Sequence, residues 1–300
     1  MFFRNLTMFC YPQLPMFDWQ DGLMHAALKP VGPLEMSTAG FVSPFGREEK
    51  EVLSHAIGDA MWLAVGAEDK ILPGAVVSNL LALKLEEIEE KEGRRPGGRE
   101  RKRLKDDLFH ELLPRAFVRA SRTDMILDSQ RGVVFVDTSS RRTGESMISH
   151  LRGAVGSFPA LHVNAEVAPT SVLTSWIAGA ELPDGLSLGE ECEMKDLAEG
   201  GAVVKCQHQE LRCDEVDLHL QSGKLVTRLA LVLNDRLSFV IGDDMVVRKL
   251  RFLDGALEQL EEPEEDNRRA ELDARFLLQS AEIGQLYDVL ARAFKFSTVA

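Results

Sequence analysis

Three hundred residues, 45% hydrophobic and 28% charged, give enough chain for about two cored domains with the balance of an ordinary globular protein. No apolar run approaches the ~20 residues of a membrane-spanning helix, and a formal charge of −13 excludes a surface that is basic all over. Four cysteines (Cys10, Cys192, Cys206, Cys213) without a CxxC pair read as reduced thiols, not as a disulfide scaffold.

The opening MFFRNLTMFCYP is broken by Arg4 and Asn5 and lacks a basic segment before a longer apolar one. It therefore reads as an N-terminal strand over 2–10, and nothing addresses the chain out of the cytoplasm. Asp18 is placed to cap a short helix through Leu28, ended by Pro30 and Gly32. Residues 34–46 are turn-rich, and MWLAVGA (61–67) has the composition of a buried strand.

Ala75–Glu92 carries Val76, Val77, Leu80, Leu81, Leu83, Leu85 and Ile88 at roughly the spacing of a helix face. Gly93–Gly98 breaks the pattern. Glu100–Leu113 resumes it with Leu104, Leu108 and Leu112, which predicts an antiparallel helical pair with a basic elbow. From Arg94 to Arg122 ten Lys/Arg face four acids, a local balance of +6 in an acidic chain. The run Arg94–Arg103 holds six bases, one acid and no aromatic. Such a patch suits phosphate contact, which positions a duplex without reading its sequence, rather than base stacking. The competing reading is a solvated helix face whose KRLKDD segment forms local i, i+4 pairs.

Thr123–Asp137 reads as a hairpin, Glu145–Val155 as a helix, FPALHVNA (158–165) as a strand, and Pro169 as the start of a helix through Ala178. A charged loop and a short helix are expected up to Glu199. Four strands follow, at 201–208, 225–233, 237–242 and 246–253, with a short helix over 214–220. The acidic run 261–266 reads as a solvated loop before a closing helix of about twenty residues to Ala293. Strands and helices mix without βαβ alternation, so the class is α+β. The expected division is a central α+β region (1–69 and 123–165), a helical arm inserted near 70–122, and a C-terminal α+β region (166–300).

Catalytic signals are weak. GxSxG, HExxH and GxxxxGK[ST] are absent. Cys206, His208, Cys213 and His219 are zinc-ligand types within fourteen residues, but their spacing fits sheet placement better than a metal site. Asp243 and Asp244 read first as a tight turn. The alternative reading is a metal-dependent nuclease that uses them with acids near 261–266.

The runs FFRNLTMF, KILP (70–73), GFVSPFG (40–46), HELLPRAF (110–117), KLVTRLAL (224–231) and RKLRF (248–252) carry a resemblance. In order and spacing over nearly the whole chain they resemble the recombination-associated protein RdgC family. The resemblance implies a ring-shaped homodimer enclosing double-stranded DNA without sequence preference, a nucleoid-associated cytoplasmic location, restraint of RecA, no catalysis and no cofactor. It implies that the arm is a tip closing the ring and that the C-terminal region forms the second dimer contact. By the same resemblance, Phe117 plugs a pocket across the tip interface, Lys70 and Arg115 face the hole, and Gln209 lies near the gate. His208 stands where a member of that family has a lysine, and an imidazole carries that charge only when protonated. The expected DNA-binding set is Lys70, Arg94, Arg95, Arg99, Arg101, Lys102, Arg103, Lys105, Arg115 and Arg119; the gate set is Phe117, His208 and Gln209. If the segment after Pro114 is helical, Phe117 points away from the arginine stripe. If extended, it shares a face with Arg115 and Arg119.

Overall fold

The computed structural model describes residues 2–12, 19–46, 49–196, 198, 201–258, 260 and 268–297. Elements run in the order β1 (Thr7–Cys10), α1 (Gln20–His25), β2 (Ser37–Val42), β3 (Ser54–Ile57), β4 (Ala60–Ile71), α2 (Gly74–Glu92), α3 (Gly98–Leu112), β5 (Phe117–Asp128) and β6 (Val133–Val136). Then come α4 (Arg141–Val155), β7 (Leu161–His162), α5 (Pro169–Ile177), β8 (Leu186–Lys195), β9 (Val203–Gln207) and α6 (Asp214–Gln221). The chain finishes with β10 (Leu225–Leu233), β11 (Leu237–Gly242), β12 (Val247–Phe252), α7 (Asp254–Leu257) and α8 (Arg268–Phe294). Mixed sheets with inserted helices make the fold α+β. One sheet has the order β2-β4-β5-β6-β1-β7, with β3 beside β4; the other has the order β12-β11-β10-β8-β9.

Two compact units divide the chain. One comprises Met1–His25, Ser43–Ala64 and Thr123–Ala300, the other Ala26–Val42 and Val65–Arg122. In the larger unit α8 is the organising element. Phe276, Ile283, Leu286, Leu290 and Phe294 recur at helical spacing and are buried. Each such side chain contributes about 1.5–3 kcal/mol when fully removed from water. Phe276 stacks on Trp62 at 5.6 Å, Tyr287 meets Phe135 at 5.8 Å and Phe294 meets Trp176 of α5 at 5.5 Å. The same core takes in Val226, Leu229 and Leu231 of β10 and Phe239 and Ile241 of β11. Two arginines from hairpin turns are tied to the helix. Arg131 reaches Asp288 with two hydrogen bonds (2.9 and 2.8 Å) while also donating to Asp128. Arg236 donates to the buried Glu282. Gly284 makes room for the first, since a Cβ there would come within 2.7 Å of the Arg131 guanidinium.

The N-terminal strand is shorter than expected. The Arg4 and Asn5 amides donate to the Asp137 carboxylate, the Arg4 carbonyl accepts from the Leu250 amide and Leu6 forms an isolated bridge with Val247, so the ladder of β1 begins at Thr7. Residues 158–165 keep just the two-residue β7. The expected loop and short helix before Glu199 are replaced by the ten-residue β8, paired with β10 on one side and β9 on the other. Its acids concealed the alternation of buried Cys192 and Met194, because Glu191 and Glu193 find their cations, Lys249, Lys205 and Arg228, on other strands. The closing helix has 27 residues and reaches Phe294. Asp18 and the acidic run 261–266 lie outside the described residues.

Candidate nucleic-acid interface

The smaller unit holds the basic stretch. α2 ends at Gly93, which takes a left-handed φ of 65° and returns its amide to Glu89. α3 starts at Gly98 directly after the elbow, the two helices contact one another, and Val77, Pro96, Leu108 and Leu113 are buried along this stretch. The basic residues of the elbow and of the first turns of α3, from Arg94 to Lys105, are all exposed.

Not all of these bases are uncommitted. Arg94 donates from Nη1 and Nη2 to both carboxylate oxygens of Glu100 (2.7 and 2.9 Å) and from Nε to Glu92 (2.8 Å). The Arg94 hydrogen bond holds the Glu100 carboxyl below its ordinary value. Arg95 donates to Glu89 at 2.8 Å. Arg103 lies 3.9 Å from Asp107, the i, i+4 pairing that KRLKDD suggests, and Arg119 lies 3.5 Å from Asp69. By contrast Arg99, Arg101, Lys102, Lys105 and Arg115 are exposed and have no ion pair among the described residues.

Lys70 departs from the expectation of an open basic contact. It is only 8% exposed, and Nζ donates to the carbonyls of Gly32 (2.6 Å) and Pro33 (2.5 Å). Its charge is spent on closing that turn, a partnership between distant residues that KILP gives no hint of.

After the single 3₁₀ turn Leu113–Arg115 the chain is extended, so Phe117 and Arg119 share a face of β5 while Arg115 sits in the turn before it. Phe117 is 84% exposed, which removes it from the core of its own chain. Among the described residues, Leu34, Met36, Ile71, Val76, Leu83 and Val118 of the same unit are also exposed apolar side chains. That concentration was missed from sequence because helical spacing assigned Val76 and Leu83 to a core face.

His208 and Gln209 belong to the other unit, in the bend after β9. His208 is exposed with a left-handed φ of 57°, so it leaves the strand rather than alternating with the buried Cys206. The Glu191 carboxyl is held low first by the hydrogen bond from Lys249 (2.7 Å), with smaller contributions from Gln207 and His208.

Asp243 and Asp244 form the turn between β11 and β12, where the Gly242 amide reaches Val246. Asp244 accepts two hydrogen bonds from Arg248. Among the described residues no group of three or more His, Cys, Asp or Glu is placed to hold a metal ion. Among the same residues no helix is long and apolar enough to cross a membrane.

A family model described as "Putative exonuclease, RdgC" matches residues 1–297. The chain belongs to the RdgC family. A "Recombination-associated protein RdgC" of Stenotrophomonas maltophilia is 70% identical over 298 residues, covering 99% of each chain. A protein of the same name from Xanthomonas axonopodis pv. citri is 68% identical over the same span. At that identity the sequence resemblance becomes membership, and it extends over both units.

Proposed function

We propose that the chain is a non-enzymatic, sequence-independent double-stranded DNA-binding protein that closes around the duplex as a ring-shaped homodimer. It acts at the nucleoid and restrains RecA-promoted recombination, in keeping with the recombination-associated names of its relatives. The observation that carries the reading is the exposed group Arg99, Arg101, Lys102, Lys105 and Arg115, cations without carboxylate partners among the described residues, on an otherwise acidic chain. Such groups exchange counterions for phosphates and read no bases. Phe117 on an exposed, apolar-rich unit supports closure on a second copy, since buried aromatics anchor interfaces. His208 and Gln209 supply polar contacts near the gate, and Lys70 shapes the arm through its turn instead of touching phosphate directly. No cofactor is required.

The family description keeps a nuclease in view as the alternative. Asp244 is committed to Arg248, which argues against it as a metal ligand. Incubation with supercoiled plasmid and magnesium or manganese separates the readings, since nicking lost in Asp244→Ala would favour the nuclease. Encirclement itself predicts slower dissociation from circular or end-blocked duplex than from open linear DNA in a salt challenge. Equal rates would contradict it.

A further inference from the structure

The elbow of the arm contains an arrangement that a count of bases against acids conceals. Its two arginines are each held by carboxylates in geometry that a phosphate would also satisfy. Arg94 presents a two-pronged fork to Glu100 and a third donor to Glu92, while Arg95 is held by Glu89. Guanidinium forks fit carboxylate and phosphate alike. Arg94, Arg95, Glu89 and Glu92 are exposed and Glu100 is partly so, which leaves the pairs open to exchange with an incoming anion. The acidic residues come from the end of α2 and the start of α3, flanking the arginines on both sides.

We infer that Glu89, Glu92 and Glu100 act as an internal competitor for DNA phosphate, holding Arg94 and Arg95 and so setting the affinity of the arm for duplex DNA. The inference rests on the DNA-binding reading above. It divides seven of the ten bases of the arm into two classes. Arg99, Arg101, Lys102, Lys105 and Arg115 engage first, while Arg94 and Arg95 engage only when their own carboxylates are displaced. A protein that must release DNA gains reversibility from such an arrangement, because every phosphate leaving those arginines is replaced at once by a tethered anion.

Removing negative charge raises affinity for DNA in general, so the test needs a matched control. Glu86, Glu87 and Glu90 lie on α2 beside Glu89 and Glu92 and have no ion pair among the described residues. The triple variant Glu89→Gln/Glu92→Gln/Glu100→Gln and the control triple Glu86→Gln/Glu87→Gln/Glu90→Gln change the net charge equally. Fluorescence anisotropy with a duplex oligonucleotide is read over a salt series. The expected result is a gain of at least about tenfold for the first triple and below about threefold for the control. The slope of log affinity on log salt steepens by about 2 in the first triple alone, as two further phosphates are neutralised. Adding Arg94→Ala and Arg95→Ala then costs much more in the first triple than in the wild type, a coupling that bulk charge does not produce. Equal gains and equal slopes in both triples, or no coupling, would overturn the inference while leaving DNA binding intact. Absence of any binding by the wild-type protein at low salt would overturn both. If the triple fails to fold, Glu100→Gln alone frees the Arg94 fork, and a slope unchanged from wild type there would overturn the inference equally.

Discussion

Arginine–carboxylate pairs occur in both units, and their consequences are opposite. In the larger unit Arg131 and Arg236 leave hairpin turns to reach carboxylates on α8, and Asp128 and Glu282 are buried. In the smaller unit Arg94, Arg95 and Arg103 pair with neighbours on exposed helices. Burial decides the difference. A buried charge that loses its partner is stranded, whereas an exposed one returns to water or takes another anion. The first class fixes the fold, and the second is free to serve binding.

The largest effect should follow from breaking the first class. Glu282→Ala leaves Arg236 without its carboxylate beside the β10–β11 turn and should cost about 3 kcal/mol, the lower end of the range for a buried pair because Arg236 keeps some solvent access. Denaturant unfolding measures this. A loss no larger than that of Arg95→Ala would erase the distinction between the two classes.

Phe117→Ala sharpens the comparison from the other side. With the ring 84% exposed, stability of the protomer should change by no more than about 0.5 kcal/mol. DNA dissociation should accelerate several-fold although no phosphate contact is removed. A large drop in melting temperature with unaltered dissociation would assign Phe117 to packing within the protomer.

Asp244 is an intermediate case and carries the smallest expected effect. Burial acts to raise its pKa, but the hydrogen bonds and charge of Arg248 prevail and hold it below the ordinary 3.8. A depressed folded value contributes stability above the unfolded pKa, and that contribution is lost as pH falls through the folded value. Melting-temperature curves of wild type and Asp244→Asn should therefore converge as pH falls from the ordinary 3.8 through the lower folded value. A constant gap over that window would show that the Arg248 pair contributes nothing.

Local patterns were readable in the sequence and long-range partnerships were not. β10 and β11 have the expected bounds because apolar alternation flanks an Asn234-Asp235 turn with both residues left-handed. The helices of the arm follow from leucine spacing and two glycine breaks. β8 was hidden because its glutamates are neutralised from strands distant in sequence. Within the candidate interface, composition located the basic patch but not the state of each base. Nothing near Lys70 signals that the Gly32 and Pro33 carbonyls absorb its ammonium, and a tally of charges cannot show that Arg94 is forked onto Glu100 while Arg101 is not.

The central claim is that the uncommitted cations of the arm grip phosphate. The measurement that tests it most directly is the salt dependence of duplex affinity for wild type and for Arg99→Ala/Arg101→Ala/Lys102→Ala/Lys105→Ala. Each phosphate contact contributes a slope of about −0.9, so removal of four should flatten the slope by up to about 3.6 and weaken binding to all sequences alike. An unchanged slope with unchanged affinity would make these residues a solvated helix face and contradict the account.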